Sequence, residues 1–157
     1  MSPRIVLLKP KQLIGIHLRM SLSNNKTAEL WKTFMPRRSE VKHRVSKDFI
    51  SMQQYGENWQ FKPDMEFEKW AAVEVADTKE IPQGMETYQI NGGLYAVFVH
   101  HGPASAAEKT MQYIFGEWLP NSPYNMDSRE HFEILPEGYN PVEPNAQEEI
   151  WVPVKEK

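Results

Sequence analysis

The stretch Gly92-Gly93-Leu94-Tyr95-Ala96-Val97-Phe98-Val99-His100-His101-Gly102-Pro103, with the run after it that closes at Gly116-Glu117-Trp118-Leu119-Pro120, decides how this chain is read. Leu94 to Val99 is unbroken apolar sequence, the pattern of a buried strand. Gly102-Pro103 ends it, because neither residue extends a ladder. Beyond that stop, Met111, Ile114, Phe115, Trp118 and Leu119 recur at the spacing of one helix face, and Pro120 closes the helix. The unit is a buried strand, a tight exit and an amphipathic helix.

An earlier part of the chain has the same grammar. Ile14, Ile16, Leu18 and Met20 alternate with Gly15, His17 and Arg19, which predicts a strand with unlike faces. Leu30, Trp31, Phe34 and Met35 then mark a helix face, interrupted at Pro36. Strands follow over 48–55 and 70–75 in this half, and over 131–135 and 149–154 in the other. Short strands are expected at 4–8 and 87–90, and polar or proline-rich loops at 121–129 and 136–147. Each half therefore reads β-α-β-β, over about 4–77 and 84–155, with the Pro82 segment between them. The expected fold class is α+β: two pseudo-symmetric modules, each an antiparallel sheet packed on a helix, around a central groove. The whole chain, 1–157, is expected to form one domain.

Bulk properties narrow the function. The net charge is −3 and the pI about 6.0, so no basic face marks a nucleic-acid binder. The densest basic run, Arg37-Arg38 to Lys47, is broken by Glu40 and reads as a solvated helix end. Cysteine is absent, which removes disulfide and thiolate chemistry. No apolar run approaches the roughly 18 residues of a membrane span, and no signal peptide is evident, so a cytoplasmic location is expected. The histidines have no ligand spacing, and Asn91-Gly92-Gly93 precedes a strand where a phosphate cradle would precede a helix. No metal and no cofactor are expected. Five Trp, six Tyr and seven Phe supply material for a core or for a ligand wall.

Several ordered segments resemble one family. They are Ala72-Val73-Glu74-Val75, Pro82-Gln83-Gly84-Met85, Gly93-Leu94-Tyr95-Ala96-Val97-Phe98 with His101-Gly102, Trp118-Leu119-Pro120, Phe132-Glu133, and Glu149-Ile150-Trp151-Val152-Pro153-Val154. Their order and spacing are similar to the GyrI-like family, the small-molecule-binding domain also found as the effector-binding half of Rob-type and BmrR-type transcription activators. The resemblance implies two βαββ modules around a ligand groove. Such activators also carry a helix-turn-helix module, for which this sequence leaves no room, so a stand-alone form without direct nucleic-acid binding is expected. Stand-alone members are described as drug-binding proteins, as gyrase inhibitors and, in some lineages, as hydrolases of cyclopropane-bearing genotoxins. The resemblance therefore implies a lipophilic ligand, cationic in drug-binding members. It leaves open a hydrolase reading and a protein partner such as gyrase or a regulator.

Strand alternation supplies candidate ligand contacts. If Phe132 and Ile134 pack toward a helix, Glu133 points the other way, into the groove. If Val73 and Val75 pack inward, Glu74 and Trp70 face the groove, and the same logic places Trp151 there. In the family, the glutamate matching Glu133 meets cationic ligands, and a carboxylate among aromatic faces suits a delocalised cation. In a hydrolase the same Glu133 would serve as the catalytic base. Trp118 and Tyr95 complete the candidates, each also readable as core. Glu133 also has a plainer reading as a solvated strand residue, and Glu74 one as an inter-module hydrogen bond.

Overall fold

The computed structural model describes residues 2–157. Strands Arg4–Leu8 (β1) and Lys11–Met20 (β2) come first, and helix α1 spans Thr27–Phe34. Asn25 accepts the Thr27 backbone N–H at 2.9 Å through its side chain, which satisfies one otherwise unpaired donor at the helix start. Pro36 cannot continue the α-helical ladder, so Met35–Glu40 tightens into a 3₁₀ turn. Strands β3 (Phe49–Gln54), β4 (Phe67–Val75), β5 (Glu86–Ile90) and β6 (Gly93–His101) follow. Helix α2, Ala107–Tyr113, runs into a π turn at Ile114–Trp118 and a last turn at Leu119–Asn121. The chain ends with β7 (Tyr124–Met126), β8 (His131–Leu135) and β9 (Gln147–Glu156). Strand β7 falls within the expected polar loop; three residues are too few for an alternation to show in sequence.

The strands form one antiparallel sheet in the order β1-β6-β9-β8-β3-β4-β2-β5, with β7 added against β9. The two separate sheets expected from the repeat are thus continuous, because β3 pairs with β8 across the centre. The order reads symmetrically outward from that pair, with β8, β9 and β6 in the places of β3, β4 and β2. The outermost strands are exchanged. Strand β1 leads into β2 but pairs with β6, and β5 leads into β6 but pairs with β2. The exchange needs bare backbone where the chain passes. A side chain at Gly92 would begin 2.4 Å from the Leu8 carbonyl oxygen, and one at Gly93 would begin 2.7 Å from the Arg129 guanidinium. Both glycines have positive φ, 89° and 119°.

Pairing register assigns the faces. Phe67, Ala71, Val73 and Val75 of β4 pack with Leu30 and Phe34 of α1. Ile150, Val152 and Val154 of β9 pack with Ile114 below α2. Opposed residues share a face, and Ser51 pairs Glu133, which pairs Ile150. Both helices therefore cover the same face of the sheet. The other face closes on an inner core that includes Leu13, Met52, Trp70, Tyr95, Phe132 and Trp151.

This arrangement corrects the expected faces. Phe132 and Ile134 point away from the helices, and Trp70 and Trp151 point with them into the inner core. Trp70 is 4% exposed and Trp151 6%, so neither is a ligand wall. Burying an indole of 150–250 Å² at about 25 cal/mol per Å² contributes roughly 4–6 kcal/mol. The Trp70 N–H is not orphaned by that burial, because it donates to Gln54 at 2.7 Å. Tyr95 is fully buried and donates its hydroxyl to the Glu130 carbonyl at 2.8 Å. Glu74 lies on the same side as the inner core and pairs with Lys11 at 2.8 Å.

Arg129 ties the β5–β6 link to β6 and β9. Its guanidinium donates to the carbonyls of Gly92, Leu94 and Val154 at 2.6–3.0 Å, pairs with Asp127 at 2.8 Å and lies 4.8 Å from the Tyr95 ring centre. Arg129→Met keeps the aliphatic stem but leaves three carbonyls without their charged donor. The expected loss is about 3 kcal/mol, on the order of 6–12 °C in Tm. Thermal unfolding followed by circular dichroism measures it, and a Tm within roughly 2 °C of the parent would show that the clamp carries no stability.

Candidate functional site

Helix α1 rests on β2 and β4, and α2 rests on β6 and β9, which leaves the central strands β3 and β8 between them. Their helix-side residues form the floor of a groove: Ser51 and Gln53 from β3, His131 and Glu133 from β8. Lys69 lies on the same face of β4, opposite Gln53. Glu148 of β9 has the parity of Ile150 and joins the floor from the other side. The Gln53 side-chain amide donates to Glu133 at 3.3 Å, and the Tyr139 hydroxyl donates to Glu148 at 2.9 Å.

Aromatic rings close over this polar floor. Tyr55 follows directly on β3, and its ring stacks on Trp59 with centroids 4.1 Å apart. It also meets the His131 ring at 4.9 Å. Phe61, from the β3–β4 loop of the first half, packs on Phe115 of the second at 4.9 Å. Phe115 stands in the π turn and packs both against the core under α2 and on Phe61 of the loop. An open cleft of about 500 Å³ adjoins this end, with Tyr55, Trp59, Arg129, His131 and Lys155 in its wall. Glu133 is not part of that wall; the Tyr55 and His131 rings are shared between the cleft and the groove.

Two carboxylates and one lysine beneath stacked rings, held between two helices of a symmetrically ordered sheet, form the candidate site. The chain matches the GyrI-like small molecule binding domain over residues 1–155. It belongs to that family. It is 28% identical over 158 residues to the transcriptional regulator BrlR of Pseudomonas aeruginosa, covering 98% of this chain and 56% of the relative, so it spans about half the length of that protein. The C-terminal domain of EcmrR superimposes with a TM-score of 0.74 over all of both chains at 13% identity. SAV2435 bound to tetraphenylphosphonium superimposes with a TM-score of 0.70, over 99% of this chain and 94% of that one, at 17% identity. At such identities the structural matches establish the fold. This GyrI-like chain is thus an α+β small-molecule-binding domain related to the effector-binding domains of transcription regulators. Among its described residues no helix is long and apolar enough to cross a membrane.

The groove perturbs its ionisable groups. Burial raises the Glu133 pKa from its ordinary 4.5 to about 7; Lys69 and the Gln53 hydrogen bond pull it back, and Glu148 pushes it further. The carboxylate is enclosed by protein yet retains some solvent contact, as befits the base of a groove. Burial lowers the Lys69 pKa, against the pull of Glu133 and Glu148. His131 is pushed down to about 3, by burial and then by Arg129, so its ring is neutral. The Tyr55 hydroxyl is held protonated by burial and then by Glu133.

Sequence reasoning put Glu133 in the groove by an inverted argument. Its neighbours Phe132 and Ile134 turn away from the helices, so Glu133 turns toward them. Trp118 belongs to the core under α2, edge-on to Phe98 at 5.2 Å. Trp70, Trp151, Tyr95 and Glu74 are not brought to Glu133. The rings that do gather were missed: Tyr55, Trp59, Phe61 and Phe115. A signal for Lys69 existed, because it shares parity with Val73 and interrupts an otherwise apolar face.

The Glu133 shift predicts a pH dependence. Between about pH 4.5 and 7 the unfolded chain has released a proton that the folded chain retains, so stability falls as pH rises through that window. Above about pH 7 the loss is complete. Glu133→Gln removes this cost. The variant should match the parent near pH 4.5 and exceed it by about 1–2 kcal/mol at pH 8, measured by urea unfolding. A difference independent of pH would place the Glu133 carboxylate in open solvent.

Proposed function

We propose that the groove between α1 and α2 binds lipophilic aromatic molecules, with a positively charged part of the ligand set against Glu133. One observation carries this reading: a carboxylate at the base of an aromatic-lined groove, disfavoured in its charged form by burial, at the centre of the family's fold. A delocalised cation would relieve that cost and gain from the ring faces as well. SAV2435, with the same fold, is bound to such a cation. The related regulator is roughly twice as long, and the domain's place would be that of an effector sensor, in the cytoplasm, with transcription as the process it informs.

Calorimetry with tetraphenylphosphonium and neutral triphenylphosphine oxide tests this. Glu133→Gln should weaken the cation roughly tenfold to a hundredfold and change the neutral compound little. Equal effects on both compounds would remove Glu133 from the ligand contact.

The same carboxylate, titrating near neutrality, also favours a second reading as a general base that activates water toward a strained electrophile. Product analysis after incubation with a cyclopropane-bearing alkylator separates the two. A hydrolase would lose turnover in Glu133→Gln while retaining substrate affinity, and a binding protein would form no product in either form.

A further inference from the structure

Lys69 is not used by a groove that merely collects lipophilic cations. It lies on the helix-bearing face of β4 between the buried residues Phe67 and Ala71. It faces Gln53, which faces His131; Glu133 stands one same-face rung further along, opposite Ser51. The strands that carry Lys69 and Glu133 are thus separated by β3, roughly 9–10 Å apart across the sheet. Among the described residues Lys69 makes no hydrogen bond and no ion pair, and Glu133 and Glu148 act on it only across space. Those carboxylates are engaged elsewhere, by the Gln53 amide and the Tyr139 hydroxyl. His131 is neutral and Tyr55 protonated, so neither answers the ammonium. The floor therefore has a positive end and a negative end, with aromatic rings beside them.

A plain monocation gains from Glu133 but meets the repulsion of Lys69. An aromatic molecule with a cationic and an anionic group satisfies both ends, and supplies a charged acceptor to the half-buried Lys69, which has none among the described residues. We propose that this groove selects aromatic zwitterions, their delocalised cation against Glu133 and their carboxylate or equivalent anion against Lys69, and that Lys69 is the residue that prefers them to simple lipophilic cations. This rests on the inter-helix groove being the binding site.

Rhodamine B, a zwitterion at neutral pH, and its ethyl ester, a cation of nearly the same shape, form the test pair. Fluorescence polarisation at pH 8 reads both against the parent, Lys69→Met, Lys69→Gln, Lys69→Arg and Glu133→Gln. The parent should bind the acid roughly tenfold more tightly than the ester, the effect of one charge-assisted contact. Lys69→Met and Lys69→Gln should abolish or reverse that preference, weakening the acid and leaving the ester equal or tighter. Lys69→Arg should retain it, and Glu133→Gln should weaken both dyes. A preference the same in the parent and both neutral Lys69 variants, while the dyes still bind, overturns the role of Lys69 alone. If neither dye nor tetraphenylphosphonium binds the parent, the reading of the groove fails and the zwitterion proposal with it.

Discussion

The pairing of β3 with β8 is the constraint on which the rest of this structure depends. It runs from Phe49 opposite Leu135 to Gln53 opposite His131, and joins the two halves into one sheet. Without it each half would expose an edge strand, with unpaired N–H and C=O groups open to any other chain. With it, the helix-bearing faces of both halves become one surface. Each helix is fixed over its own half by an apolar stripe, Leu30 and Phe34 in one case and Ile114 with Trp118 in the other. The α1 stripe reaches the central pair only at its Phe49–Leu135 end, where Trp31 meets the Phe49 ring, so polar side chains stand further along the strip, at Ser51, Gln53, His131 and Glu133.

That strip runs against the usual economy of a core. Glu133, Lys69 and Glu148 stand among rings, and burial disfavours the charged forms of the first two. Satisfied apolar residues of similar size would hold the same backbone at lower cost. The stability lost there is recovered on the other face, where Phe132 stacks on Trp151 at 5.1 Å and Tyr95 packs edge-on to both. The same two strands thus carry a dense inner core below and a costly polar floor above. The rings of Tyr55, Trp59, Phe61 and Phe115 cover part of that floor, and only Phe115 among them belongs to a helix-derived turn. A cover built mainly from one loop is easier to displace than one built from packed helices.

The elements were legible in the sequence because their periods are local. Ile14 to Met20 alternates, Met111 to Leu119 keeps helical spacing, and Pro36 and Pro120 mark real changes in the helices. The family could be read from ordered short segments, and Glu133 among them. The exchange of β1 and β5 could not, since a two-residue link such as Lys9-Pro10 reads as a turn whichever partner the strand later takes.

The sequence by itself determined the β-α-β-β repeat, the two helix faces and, on the alternating strands, the division into two sets of side chains. Only the tertiary structure decided which set faces the helices. Alternation has a period of two and is unchanged when the faces are swapped, so local pattern resolves the choice only when one face is plainly polar. Here both faces are buried. On β4, Trp70 and Ala72 form one apolar set and Phe67, Ala71 and Val73 the other, with Lys69 in the second. On β8, Phe132 and Ile134 oppose Glu133 and Leu135. Long-range pairing of β3 with β4 and β8, and of β8 with β9, placed Lys69 and Glu133 above and Trp70 and Trp151 below.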